Sequence, residues 1–191
     1  MSLPAFLQIT PRRPTASRLT SLVKALAARE GLGVAAITSS EPFDGLADYL
    51  DAHIERGHVA GFDWFTPERA RFSTDPRNLH STVRSILSVG IPYWSGSAEK
   101  PVDAPRGRIS RYAWGGDYHA VLKRRMRRLH AALERETGRA IEARFLVDTA
   151  RIVDRAAAAR AGLGWYGNHS CLIVPGHGSW VMLGNMLLDL E

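Results

Sequence analysis

Residues 145–184 read FLVDTARIVDRAAAARAGLGWYGNHSCLIVPGHGSWVMLG, and the apolar runs and breakers of this stretch decide the predicted fold. An apolar strand over 145–148 ends in an acid. An alanine-rich helix is predicted over 151–161, and Gly162 ends it because glycine adopts positive φ without steric cost. A second apolar strand is predicted over 171–174. Strand, helix and strand in this order predict an α/β domain.

The acid at the end of the first strand is Asp148. Asp148 and Thr149 are both good residues to start the helix, since each side chain can accept a hydrogen bond from an N–H of the first turn. A carboxylate at the carboxyl end of a strand also lies where open α/β sheets bind their ligands. The residues therefore leave two roles open for Asp148, a structural cap and a functional acid.

The rest of the chain predicts further elements of the same domain. Apolar spacing predicts two more helices and two more strands, over 15–30, 42–57, 34–37 and 85–92. Residues 1–14 contain three prolines and are predicted as an N-terminal arm. Because there is no internal repeat and no low-complexity linker, we predict a single domain over 15–191. Aromatic residues of the turn at 61–65 are expected to pack into the core.

Charge and cysteine content limit the classes of function. A net charge of +6 favours anionic partners, with nucleic acid first among them. No apolar run approaches the roughly 20 residues that span a bilayer, and the N-terminus lacks a secretory signal pattern, so we expect a cytoplasmic protein. The single cysteine, Cys171, excludes an internal disulfide. It also excludes a cysteine-ligated iron–sulfur cluster within this chain, since such clusters need about four thiolates.

A basic helix is predicted to begin after Asp117, which caps it. Its buried stripe consists of Leu122, Met126, Leu129 and Leu133. Five cations occupy the other positions of the same stretch: Lys123, Arg124, Arg125, Arg127 and Arg128. Such a cluster suits contacts to nucleic-acid phosphates, and a solvated helix face is the alternative interpretation.

Two blocks, GRISRYAWGGDYHAVLKRRM at 107–126 and VDTARIVDRAAAARAGLGWYGNHSCLIVPGHGSWVMLG at 147–184, together resemble the epoxyqueuosine reductases. The resemblance runs from about Gly61 onward. It implies a nitroreductase-like fold in which helices pack around a mixed sheet. It also implies a cobalamin-dependent enzyme with 4Fe–4S clusters, which reduces epoxyqueuosine to queuosine in the anticodon region of tRNA.

The resemblance also implies roles for individual residues. It makes Asp148 the proton donor to the opening epoxide oxygen. It places Asp117, Tyr118 and His119 on the substrate side of the pocket. Arg155 is a further candidate for this side, and an ion pair with Asp154 is its alternative role. It places the corrinoid cobalamin against five residues: Arg71, Ser110, Asp148, Leu172 and Leu183. Gly162, Gly164 and Gly167 would let the backbone approach such a flat cofactor, and glycines that only cap and turn are the alternative interpretation.

Departures from the family pattern leave other readings open. Asn168 stands where the family usually has lysine, and the cysteines of a cluster domain are not in this sequence. We therefore consider a truncated protein, a split gene product or a remnant. A flavin-dependent reductase and a non-catalytic module that binds tRNA or a partner are the alternative functions. The histidines have no recognised metal-ligand spacing, so no metal site is predicted, and a monomer is expected.

Overall fold

A computed structural model describes residues 18–94, 96, 107 and 109–191. The predicted arm over 1–14 lies outside these residues. Five α-helices are described: α1 (Arg18–Arg29), α2 (Leu46–Glu55), α3 (Pro67–Ser73), α4 (Tyr118–Thr137) and α5 (Asp154–Arg160). Six strands are described: β1 (Val34–Ser39), β2 (Ser85–Pro92), β3 (Ala143–Leu146), β4 (Trp165–Tyr166), β5 (Leu172–Ile173) and β6 (Val181–Leu188). The α/β class is confirmed.

Four strands form the main sheet in the order β1-β2-β6-β3, and β4 pairs with β5 in a separate hairpin. Every described pairing is antiparallel, so the predicted mixed sheet is wrong. The reason lies in β6. Since β2 and β3 both run antiparallel to β6, they run parallel to each other, and α4 lies in the connection between them. However, β6 lies between them and pairs with both.

Helices cover both faces of this sheet. On one face, Leu122, Met126, Leu129 and Leu133 of α4 are fully buried against the sheet, together with residues of α1. On the other face, Ile86 and Leu187 of the central strands pack against alanines of α5 and against Leu46 of α2. Burial on both faces explains why β2 is apolar over nearly its whole length. The predicted buried stripe of α4 is confirmed.

Two helices begin later than predicted. The helix predicted over 42–57 begins at Leu46, after Gly45 in the left-handed conformation with φ of 69°. The alanine-rich helix begins at Asp154 and has Val153 at its N-cap position. Asp148 and Thr149 therefore cap no helix, because a turn of irregular backbone separates them from α5. The Asp148 carboxylate is therefore available for other contacts.

The aromatic turn differs from the prediction, whereas the predicted helix ends agree with the structure. Phe62 and Trp64 are 56% and 58% exposed, so their predicted place in the core is wrong. Asp117 caps α4 as predicted, and Gly162 follows α5 with φ of 80°. No helix among the described residues is both long and apolar enough to cross a membrane.

Candidate active site

A cavity of about 830 Å³ opens between α2, the start of α5, the β4–β5 hairpin and β6. Its apolar wall includes Leu46, Leu50, Ile152, Leu172, Met182 and Leu183. Its polar lining includes Tyr118, Asp148, Asp154, Arg155, Tyr166 and Ser170. The volume lies near the upper end of the range for small-molecule sites, so the cavity can accept a large ligand.

Asp148 reaches this cavity through an unusual backbone conformation. Its φ is 51°, and Asp148 and Ser170 are the described non-glycine residues with positive φ. Aspartate tolerates this left-handed conformation better than most residues do. The turn directs the side chain, which is 63% exposed, toward the N-terminus of α4. A local backbone strain of this kind is characteristic of functional sites.

Two side chains at the start of α4 contact the Asp148 carboxylate. The Tyr118 hydroxyl donates a hydrogen bond to Oδ2 at 3.1 Å, and Nε2 of His119 lies 3.3 Å from the same oxygen. Burial, followed by the bond to Asp148, raises the pKa of Tyr118 to about 12. The phenol is therefore protonated at neutral pH and acts as a donor. The two aromatic rings stack with centroids 4.0 Å apart.

Asp117 fixes the orientation of His119. Its Oδ1 accepts a hydrogen bond from the His119 backbone N–H at 2.9 Å and lies 2.8 Å from Nδ1 of the same residue. These bonds lower the pKa of Asp117, with the side-chain bond to His119 as the largest cause. Since Nδ1 faces Asp117, the other ring nitrogen faces Asp148. The segment thus links two carboxylates through one imidazole.

Asp154 is a second acid of the cavity, and sequence reasoning missed it. Its Oδ1 accepts a hydrogen bond from Nδ2 of Asn185 at 2.8 Å. Desolvation by burial, the largest cause, raises the pKa of Asp154 to about 7, and the nearby Asp148 charge adds to this increase. The sequence signal was a pair of polar residues, Ser88 and Asn185, inside apolar central strands.

The structure brings most of the predicted site residues together. Tyr118, Asp148, Arg155, Leu172 and Leu183 line the cavity, with Asp117 and His119 beside it. The Arg155 guanidinium donates to the Ser170 carbonyl in the turn of the hairpin. This contact takes the place of the expected ion pair of Arg155 with Asp154.

Two predicted cofactor contacts lie elsewhere in the described part of the chain. Arg71 pairs with Asp51 at 2.7 Å, while Arg69 is the arginine of α3 that lines the cavity. Ser110 precedes the short 3₁₀ turn Arg111–Ala113 and is not among the lining residues. Roles for Arg71 and Ser110 stay predictions.

Glycines of the hairpin serve its packing. A Cβ on Gly164 would lie 2.2 Å from the Ile173 carbonyl oxygen, on the neighbouring strand. A Cβ on Gly167 would lie 2.4 Å from two atoms of the His169 ring. Gly167 also lines the cavity, and Gly164 does not. Gly164 is therefore explained by contact with protein backbone.

The basic residues of α4 divide into two groups. Arg125 donates to the Gly31 carbonyl oxygen and Arg128 pairs with Glu30, so both bind the end of α1. Lys123, Arg124 and Arg127 have no hydrogen bond or ion pair with the residues that the structure describes, and the two arginines are exposed. Three of the five predicted cations thus remain available for an anionic partner.

Comparison with known proteins gives one family throughout. The family model described as "Epoxyqueuosine reductase QueG, DUF1730" matches residues 74–149. An epoxyqueuosine reductase of Synechococcus sp. (strain CC9605) is 36% identical over 174 residues, covering 90% of this chain and 52% of that protein. One of Synechocystis sp. (strain PCC 6803) is 36% identical over 160 residues, covering 83% and 53%. The chain spans about half the length of these relatives.

Solved structures agree with the sequence comparison. Epoxyqueuosine reductase from Streptococcus thermophilus superposes with a TM-score of 0.79 at 28% identity, covering 92% of this chain and 47% of that one. A structure of such a reductase with an epoxyqueuosine-modified tRNA-Tyr stem loop gives 0.73 at 28% identity, covering 90% and 46%. The Bacillus subtilis enzyme, solved with its aspartate catalytic loop swung out of the active site, gives 0.73 at 27% identity, covering 91% and 47%.

Proposed function

Since this chain is homologous to part of the epoxyqueuosine reductases, we propose that it provides the corrinoid-binding cavity and the proton donor for reducing epoxyqueuosine to queuosine in tRNA. The observation that carries the proposal is the position of Asp148. Its carboxylate lines a large cavity, is held by Tyr118 and His119, and caps no helix. The aspartate catalytic loop of the Bacillus subtilis relative supports this assignment.

The cavity residues fit a corrinoid. Leu172, Met182 and Leu183 offer an apolar wall of the kind that the face of a flat macrocycle contacts. Arg69 and Arg155 add guanidinium donors at the same cavity, which suit amide and phosphate oxygens. When bound, the corrinoid would supply the two electrons that epoxide reduction requires. A 4Fe–4S cluster does not fit this chain, because Cys171 is its single cysteine.

Asp148 can deliver a proton to the substrate from one defined atom. Tyr118 and His119 both contact Oδ2, which leaves Oδ1 to carry the proton toward the substrate. Opening an epoxide onto a bare alkoxide is costly, and an acid within hydrogen-bond reach lowers that barrier. Asp117 contributes by holding the His119 ring in position. The three residues of the α4 terminus thus orient the acid for transfer.

Corrinoid binding tests the proposal directly. Titration of the purified chain with cobalamin is expected to change the corrin absorbance and saturate at one equivalent. Leu183→Lys is expected to weaken this affinity at least about tenfold, since it replaces an apolar contact with a charge. Ile109→Lys is the control, because Ile109 is 70% exposed and does not line the cavity.

The titration also separates the alternatives. Uptake of flavin without cobalamin would favour a flavin-dependent reductase. Binding of tRNA without either cofactor would favour a non-catalytic module. A nitroreductase-like classification, a cytoplasmic location and a monomeric state stay predictions.

Contact with tRNA is the second part of the proposal. Helix α4 begins at the cavity with Tyr118 and carries Arg124 and Arg127 on its exposed face. A relative of similar fold was solved with a tRNA stem loop, which supports the same partner here. Arginines that contact phosphates release counterions, so affinity falls with salt.

Replacing both exposed arginines should reduce this salt dependence. For Arg124→Gln/Arg127→Gln, the slope of log Kobs against log salt is expected to fall by about 1.5, at roughly 0.7–0.9 per lost phosphate contact. Filter binding of the tRNA at several salt concentrations measures it. Arg128→Gln is the matched control, because Arg128 already pairs with Glu30. Equal slopes for the double variant and the control would contradict phosphate contact by this face.

A further inference from the structure

A polar chain crosses the otherwise apolar centre of the sheet and ends at the cavity. Ser88 of β2 and Asn185 of β6 are paired residues, 1% and 0% exposed. The Ser88 hydroxyl donates to Oδ1 of Asn185 at 2.6 Å, and Nδ2 of Asn185 donates to Oδ1 of Asp154 at 2.8 Å. Burying a polar group costs free energy unless the group has a hydrogen-bond partner. Here both hydrogen bonds point the same way, with donors on Ser88 and Asn185 and the last acceptor on Asp154. These hydrogen bonds fix the orientation of the Asn185 amide, so that its N–H group faces Asp154.

The Asp154 side chain packs against protein atoms and also lines the cavity. Protein atoms surround one side of its carboxyl, including the fully buried Asn185, and the cavity opens on the other. For this reason the residue as a whole is only half-buried, while its carboxyl is strongly desolvated. Asn185 bonds to Oδ1, the backbone N–H of Asp154 also interacts with the carboxyl, and the residue lines the cavity.

The reaction needs more protons than Asp148 holds. Reduction of an epoxide to an alkene breaks two C–O bonds and consumes two electrons and two protons, and the oxygen leaves as water. In the proposed function, a reduced corrinoid would supply the two electrons. One carboxylic acid holds one proton, so Asp148 must be recharged within the turnover or a second donor must act. Asp154 lines the same cavity and interacts electrostatically with Asp148.

We propose that Asp154 is the second acid of this cavity and that it passes the second proton to Asp148. The inference rests on the proposed function and deepens it. After Asp148 has protonated the opening oxygen, the transfer leaves Asp154 as the carboxylate and restores the acid form of Asp148. Asp154 then regains a proton from solvent through the cavity. A proton held at neutral pH by burial is what such a donor requires.

The charged and titratable groups that face Asp154 come from several elements. Asp148 after β3 disfavours the carboxylate form, and Arg155 of α5 favours it. Burial, with a smaller contribution from the Asp154 charge, raises the pKa of Tyr166 in β4 to about 12, so this phenol is neutral at physiological pH. Asn185 of β6 donates to the carboxylate and opposes the effect of burial. Desolvation and Asp148 outweigh Asn185, Arg155 and the backbone N–H of Asp154, which all favour the carboxylate.

Carboxyl-carbon NMR of this chain, labelled at aspartate, tests the proposal without any cofactor. Asp154, assigned by the signal lost in Asp154→Asn, is expected to titrate near pH 7. In Asp148→Asn the midpoint should move down, because a negative neighbour is removed. Asp48→Asn is the matched control, since Asp48 is exposed on α2 outside the cavity, and it should leave the midpoint unchanged. A midpoint near the ordinary aspartate value of about 4 would overturn the proposal.

Stability and turnover give two further readouts. The folded pKa lies above the unfolded value, so protonated Asp154 stabilises the fold fully below about pH 4, and this contribution is lost as pH rises through about 7. The urea midpoint at pH 8 should therefore increase in Asp154→Asn relative to wild type. Turnover of the corrinoid-loaded protein should fall at least about tenfold and lose its pH dependence near 7.

The outcomes separate this proposal from the proposed function. A wild-type profile of turnover against pH in Asp154→Asn would overturn the second-acid role, even if the NMR midpoint lies near 7. A second outcome is that Asp154 titrates near pH 7 and responds to Asp148→Asn, but the wild-type protein does not reduce the epoxide. This outcome would overturn the proposed function and with it the transfer step.

Discussion

Asp148→Asn is expected to lower the turnover of the corrinoid-loaded protein, supplied with a low-potential reductant, by about 10²- to 10⁴-fold. Asparagine has the shape of aspartate and can adopt the left-handed backbone with φ of 51° that this position requires. It can still accept the hydrogen bond from Tyr118. The amide of asparagine has no acidic proton to donate from the position of Oδ1. The substitution should therefore lower the rate of the chemical step.

Corrinoid affinity provides the internal check for this variant. Because the turn is preserved and the apolar wall is untouched, the cobalamin affinity of Asp148→Asn should stay within about threefold of the wild-type value. Asp48→Asn is the control, since it removes an exposed aspartate of α2 that does not line the cavity. Turnover of Asp148→Asn within a few-fold of wild type would contradict the proton-donor role.

Gly164→Ala is expected to destabilise the protein by about 3 kcal/mol, which is large for one added methyl group. The new Cβ would lie 2.2 Å from the Ile173 carbonyl oxygen and 2.9 Å from its carbonyl carbon. Backbone atoms of a paired strand cannot rotate away as a flexible side chain can. The β4–β5 hairpin must therefore shift, and Tyr166 and Leu172, which line the cavity, shift with it.

Two measurements distinguish this effect from a general loss of folding. Urea unfolding gives the change in stability, and cobalamin titration below the transition gives the change in affinity, which should also fall. Gly115→Ala is the matched control, because a Cβ there meets no atom within 4 Å and its φ is not in the left-handed region. It should change stability by less than about 0.5 kcal/mol. Similar behaviour of both variants would show that the hairpin contact is unimportant.

The features that the sequence predicts well are local. The bounds of β2 and the buried stripe of α4 follow from patterns within one element. The cap at Asp117 follows from its position directly before a helical pattern. In each case neighbouring residues supply the deciding contacts, so no tertiary information is needed.

The features that it predicts poorly depend on contacts distant in sequence. Asp148 is a good N-cap by local rules, but Tyr118 and His119, about 30 residues earlier, bind its carboxylate instead. The position of β6 between β2 and β3 likewise arises from pairing across the chain. Asp154 follows an apolar residue and precedes an arginine, and nothing nearby in the sequence indicates the desolvation caused by the sheet.

The central place of β6 has a consequence for the order of assembly. Residues 181–188 join the β1–β2 pair to β3, yet among the described strands they come last along the sequence. Until this segment is available, β2 and β3 each present an unpaired edge, and Ser88 lacks its hydrogen-bond partner Asn185. On the ribosome, the sheet can close only after this segment has emerged. Strand edges with unpaired N–H and C=O groups are sites where chaperones or other copies of the chain can bind during synthesis.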